Sequence, residues 1–282
     1  MHNVNPTTIF LALLLILLPL SGCLGDDSSS RTETAEDGTE QCWAILQTIT
    51  SMDHESEMMR NNHYTMTNMT YDSSCNMIYS TWWGGDGYAG YNNISYNADG
   101  QRVLTEGGSG EWNNSTDTIE DIFLQFWEYT YDNGLLMQQK SYYEGGVGDE
   151  YWNYTYDSDG REILVESGYG NLESFYNSDG LLEQTKQSGY ANSITYVNYT
   201  YDDAGQLVQV TNTYGYNGNW YNPSYTNNTY VDGLLVSSTD GASDDLTTYT
   251  YNEKGDLVQE TRYWGDNFSS SITHSWGYAE TV

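Results

Sequence analysis

The chain has 282 residues, room for one large or two small domains, and sets 40 acidic residues against 8 Lys and Arg for a net charge of −32. Such a surface repels phosphate backbones and anionic headgroups, which argues against nucleic-acid binding. Tyr and Gly number 28 each and Pro only 3, and the 38% hydrophobic fraction leans on Tyr, so a thick aliphatic enzyme core is excluded too. Tyr buries a ring and keeps a hydroxyl for water, which suits a thin sheet with two half-exposed faces. The charge fits a salt-rich exterior, where screening relieves self-repulsion, and equally a plain need for solubility.

Residues 9–20, IFLALLLILLPL, form an apolar run of signal-peptide length, short for a bilayer span. Leu20-Ser21-Gly22-Cys23 follows and resembles the lipobox of bacterial and archaeal lipoproteins. The resemblance implies removal of residues 1–22 and lipidation of Cys23, leaving the chain anchored in the cell membrane and facing the exterior. The leading MHNVNPTT holds no Lys or Arg, a departure from that pattern, and an uncleaved N-terminal anchor is the other reading. Residues 23–41 are acidic and free of aromatics, the composition of a disordered tether.

Residues 42–80 are expected to start the sheet. WAILQTITS alternates like a strand, although Trp43, Leu46 and Ile49 also fit a helical stripe, and Asp37 with Glu40 has capping-box spacing. With Cys23 committed to lipid, Cys42 and Cys75 remain; in an oxidising exterior they make a candidate disulfide, the alternative being two separate buried thiols. No CxxC and no Cys/His cluster has zinc-site spacing, so neither a metal nor another cofactor is expected.

From residue 81 to 282 one pattern recurs: YNADGQRV, YTYDNGLLMQ, YTYDSDGREILVE, FYNSDGLLEQT, YTYDDAGQLVQVT, YVDGLLVSS and YTYNEKGDLVQET. A degenerate earlier copy, YDSSCNMIYS, starts at Tyr71. In Asp157-Ser158-Asp159-Gly160 the Asp caps a type I turn and Gly160 supplies the left-handed residue, which sets Tyr156 opposite Glu162 and Thr155 opposite Ile163. The same rule pairs Tyr201 with Leu207, Thr200 with Val208, Tyr251 with Leu257 and Thr250 with Val258. Asn133-Gly134 and Asp232-Gly233 read as two-residue type I′ turns that pair Tyr131 with Leu136, Thr130 with Met137, and Tyr230 with Leu235. Each copy is therefore a β-hairpin.

These copies resemble the YD or Rhs repeats, of pattern YxYDxxGxL, over about residues 71–261. The family's hairpins form a long strip that in large members winds into a hollow shell around a toxin. This chain has few copies, no self-cleaving associated domain and no C-terminal toxin. The expected fold is therefore all-β: an open, twisted and curled strip of antiparallel hairpins.

His2, His54, His63 and His274 form no HExxH, and neither GxSxG nor a P-loop is present, so no enzyme activity is expected. The Asp-rich turns invite calcium, but turn formation already accounts for their Asp, Asn and Gly. Glycosylation sequons occur at Asn68, Asn93, Asn113, Asn114, Asn153, Asn198, Asn227 and Asn267. The connections opposite the turns gather Trp82, Trp83, Trp152, Trp220 and Trp264 among Gly, Asn and Tyr. Exposed, these rings would stack on sugars; folded over the sheet, they would supply missing core. The resulting expectation is a non-catalytic surface lipoprotein that binds or adheres, to glycans or envelope proteins. The alternatives are a structural envelope subunit and, behind it, a glycan hydrolase, which would need a carboxylate pair in a cleft.

Overall fold

The computed structural model describes residues 30–34, 40–54 and 64–278, apart from 85–86, 114, 117, 146–147, 190–191, 242, 244 and 265–267. The signal segment, Cys23, His2, His63, Asn114 and Asn267 lie outside the described residues.

All regular structure described is β apart from single turns. The chain opens with β1 (Ser30–Thr34), inside the segment expected to be a tether, and β2 (Glu40–His54), a strand throughout rather than a helix. Hairpins follow: β3–β4 (Tyr64–Tyr71, Met77–Gly84), β5–β6 (Tyr88–Tyr96, Arg102–Asn113) and β7–β8 (Thr118–Asp132, Leu135–Tyr143). Next come β9–β10 (Glu150–Tyr156, Glu162–Ser167), β11–β12 (Gly170–Tyr176, Leu182–Gly189) and β13–β14 (Ser193–Tyr201, Leu207–Tyr216). The two-residue β15 (Asn219–Trp220) folds onto the end of β14. Last are β16–β17 (Ser224–Val231, Leu234–Asp240), β18–β19 (Leu246–Tyr251, Leu257–Trp264) and β20 (Phe268–Tyr278).

The strip is not open. β2 pairs with β3 on one side and with β20 on the other, running from Trp43↔Tyr278 to His54↔Phe268. With every other neighbour paired antiparallel, the main strands form a closed barrel of 18, with β1 and β15 as short additions. Closure removes both edges, which an open strip would have presented as unpaired N–H and C=O rows.

The turns behave as their residues dictate. The Oδ1 of Asp157 accepts from the backbone N–H of Asp159 and of Arg161, each at 2.9 Å, and Gly160 takes φ 79°. Asn97, Asn177, Asp202 and Asn252 cap their turns in the same way. Asn133-Gly134 and Asp232-Gly233 carry positive φ at both residues, as a type I′ turn requires.

Each tyrosine meets its expected partner: Tyr156↔Glu162, Tyr201↔Leu207, Tyr251↔Leu257, Tyr131↔Leu136 and Tyr230↔Leu235. The threonines do not. Thr155 faces Leu164, Thr200 faces Gln209, Thr250 faces Gln259 and Thr130 faces Gln138, because a bulge after the first descending residue inserts one extra position.

A second link joins seven of the eight hairpins to the unit before them. Tyr71, Tyr96, Tyr156, Tyr176, Tyr201, Tyr230 and Tyr251 donate their hydroxyls to the carbonyls of Ile45, Met77, Leu136, Glu162, Leu182, Leu207 and Leu235, at 2.7–3.1 Å. The acceptor is in each case the residue that faces the preceding unit's own tyrosine or, for Ile45, Trp276. Trp276 on β20 fills the same role, facing Ile45 and donating Nε1–H to the Leu257 carbonyl at 2.9 Å. The seam between β20 and β2 is thus a ninth unit, built from the two ends of the chain and lacking only the turn.

Register divides the side chains between two faces. One face carries the linking tyrosines with Tyr154, Tyr199, Tyr249, Trp127, Ser174, Thr185 and Val197; it is the more covered, with Tyr71 fully buried and Thr185 1% exposed. Side chains converge on the concave side of a closed wall, so this face lines the interior. The other face carries Asn, Gln, Thr, Glu and Lys in the strand centres, with Thr130, Asn153, Glu166 and Thr200 exposed. The sequon residues Asn68, Asn93, Asn153, Asn198 and Asn227 stand at equivalent outward positions, four of them accepting a hydrogen bond from a neighbouring-strand glutamine. Asn113 stands at the end of β6, capping the following turn through Ser115 N–H. A lipid-facing barrel wall needs an apolar band about 25 Å tall. Charged and amide side chains stand where that band would be.

Candidate functional site

The five tryptophans do share the rim opposite the turns, as the repeat register implies, but the pleat sends them to different faces. Trp82, Trp152 and Trp264 fall on the inner face and Trp83 on the outer, all of them half-buried. Trp82 lies flat on the sheet: a Cβ on Gly90 would come within 2.5 Å of its ring. Trp264 stacks under Arg262, whose guanidinium carbon is 4.9 Å from the ring centroid. Trp220 alone among the five is mostly exposed, at 55%, although its ring leans on Tyr196 at 5.8 Å and covers Gly215. The tryptophans therefore mainly pack the wall, and they form no single platform.

A different aromatic row stands on the outer face. Tyr79 and Tyr91 stack at 6.4 Å with 27° between their planes, and Phe126 and Tyr142 at 5.2 Å and 18°. Tyr91 crosses the intervening β6 by lying over Gly108, where a Cβ would sit 2.3 Å from its ring. Lys140 follows, with Nζ 4.7 Å from the Tyr142 ring and 5.5 Å from the Tyr151 ring. The row runs from β4 to β9, five strand spacings or about 24 Å.

Its polar border is fixed. Glu106 accepts from Tyr91 Oη at 3.1 Å and from Asn93 Nδ2 at 3.4 Å, and Glu128 accepts from Tyr142 Oη at 2.9 Å. The Glu128 carboxylate raises the Tyr142 pKa, while Tyr91 is raised first by burial and then by Glu106. Lys140 pairs with Asp149 at 3.2 Å, which holds its ammonium charged above the usual range. Flat rings flanked by fixed carboxylate and amide groups can stack on a sugar face and hydrogen-bond its hydroxyls.

The inner wall holds two carboxyls raised by burial, Glu162 and Glu260, the latter opposed by Arg262. They stand on β10 and β19 with β11 to β18 between them, so they do not form a close pair. His274 is depressed by burial and its Nδ1 lies 3.0 Å from Thr48 Oγ1 across the seam. A concavity of about 450 Å³ lies between the turns at Asn97–Gln101 and Asn133–Gly134, an open notch rather than a cleft.

Cys42 and Cys75 meet. Cys42 packs with Ala44 and Tyr71, Cys75 lies against that cluster, and both are thiols. Burial first, and then a hydrogen bond with Cys75, push the Cys42 thiol up to about 12.

No protein-family model and no curated protein matches the chain. Among solved structures it is similar to a porin-like protein from Bacteroides uniformis, at 11% identity and a TM-score of 0.46, covering 83% of this chain and 96% of that one. It is also similar to a porin-like protein from Bacteroides vulgatus, at 11% identity and a TM-score of 0.36, covering 83% and 98%. The TcdB2-TccC3-Cdc42 complex matches at 11% identity and a TM-score of 0.21, over 85% of this chain and 19% of that one. At such scores the likeness carries no argument about function, and closure rests on the strand pairing itself.

Proposed function

We propose that the protein is a non-catalytic barrel of the cell surface, held to the membrane through Cys23, that binds glycans along its outer aromatic row. The observation that carries the reading is the row itself: two stacked ring pairs, on β4–β5 and β7–β8, bordered by Glu106, Glu128 and the Lys140–Asp149 pair. Asn, Gln, Thr, Glu and Lys dominate the outer strand centres and leave no continuous apolar band there, so the anchor rather than the barrel engages lipid.

The test is a glycan-array assay on protein starting after Cys23, comparing wild type, Tyr142→Ala, Tyr79→Ala and Trp220→Ala. Selective binding lost in the two tyrosine variants, with circular dichroism unchanged, supports the row. Loss in Trp220→Ala alone moves the site to the rim. No binding by a folded wild type sinks the glycan reading and leaves the second one, a structural envelope subunit. Under that second reading the tyrosine variants lose stability rather than affinity.

A further inference from the structure

The turn between β3 and β4 breaks the rule that its siblings obey. Asp72 Oδ1 accepts from Ser74 N–H at 2.8 Å and from Asn76 N–H at 2.9 Å, and Cys75 N–H bonds the Asp72 carbonyl at 3.0 Å. That is the pattern of the turns ending at Gly100, Gly160, Gly180, Gly205 and Gly255, whose closing glycines take φ between 77° and 84°. Here the left-handed position holds Cys75, at φ 65°. A Cβ there strains the backbone, which glycine would avoid.

The side chain placed at that cost lies against Cys42. Cys42 in turn lies beyond the last pair that β2 makes with β3, Gln47↔Asn68; there β2 pairs with the short β1, Thr32 facing Cys42, and has no ladder to the first hairpin. On its other side this overhang is the partner of β20, through Trp43↔Tyr278 and Ala44↔Gly277.

We infer that Cys42 and Cys75 form a disulfide that stands in for the missing turn of the seam unit, fixing the start of β2 so that β20 closes the barrel. The half-exposed Cys75 is the entry point. Its thiolate attacks the disulfide of an oxidant, such as glutathione disulfide or an exported disulfide oxidoreductase, and displaces one thiolate. The Cys42 thiolate then attacks the Cys75 sulfur and expels the second. Two protons and two electrons leave the pair, and the oxidant's disulfide is reduced to two thiols.

Two measurements test this. Peptide mapping of the exported chain, with thiols alkylated before unfolding, is expected to recover Cys42 linked to Cys75. Recovery of both as alkylated thiols, even after equilibration with glutathione disulfide, or of either linked to Cys23, overturns the inference. The second measurement compares melting of wild type and Cys75→Gly. Without reductant wild type melts higher, and reductant lowers it by on the order of 5 °C. Reductant leaves Cys75→Gly unmoved, and the glycine variant then melts above the reduced wild type because its turn is relaxed. A wild type indifferent to reductant, with Cys75→Gly above it in both buffers, overturns the inference.

Discussion

Tyr201 shows how one residue type serves twice. Its ring covers the inner wall beside Leu207, and its hydroxyl reaches the Leu182 carbonyl of the preceding hairpin at 2.9 Å. Tyr201→Phe keeps the ring and removes the donor, so it should cost about 1 kcal/mol, read as a lower urea midpoint with an unchanged slope. Glu162 offers a test by pH. It sits among Tyr154, Tyr156 and Tyr176, and burial raises its carboxyl above the usual value. The folded chain therefore holds that proton more tightly than the unfolded one. This contribution is full below the unfolded pKa and fades as pH rises through the folded one. Glu162→Gln should melt above wild type at pH 7, and the gap should close below about pH 4. A gap that persists in acid would mean that the glutamine acts through packing instead.

At the scale of elements, the seam makes the sharpest prediction. Deleting β20 leaves β2 and β19 as unpaired edges, and the protein should associate through them, seen as concentration-dependent growth in light scattering. A monodisperse product of unchanged radius would show that the seam does not hold the barrel closed. The hairpins were legible in the sequence because turn chemistry is local: Asp157 and Gly160 suffice to place Tyr156 against Glu162. The seam was not. It joins residues more than 200 positions apart with no turn between them, and Trp276 stands where the motif would show tyrosine. The bulge that moved Thr200 from Val208 to Gln209 was equally silent, since the two registers differ in no turn residue. The tryptophan rim was foreseen, while the outer row went unseen because Tyr79, Tyr91 and Tyr142 belong to different repeats and share one face only through register. Gly90 and Gly108, glycines inside strands, were the available signal of rings lying across them.

For the whole molecule, charge and wall together set the behaviour in solution. A net charge of −32 on a single-layer wall repels itself, and salt screens that repulsion. Melting temperature should climb as sodium chloride rises from about 0.05 to 1 M, spanning Debye lengths from beyond 10 Å down to about 3 Å. Protein starting after Cys23 should stay dispersed without detergent, since the outer face offers hydrocarbon no continuous apolar band. Precipitation that only detergent relieves would overturn that view of the wall.

The tyrosine link recurs in seven of the eight hairpins, and the seam repeats it with Trp276 in place of tyrosine. Nothing in the link therefore counts to nine. The circumference is set by how many copies the coding sequence strings together, and duplicating or excising one copy in frame would yield a wider or narrower ring closed by the same two ends.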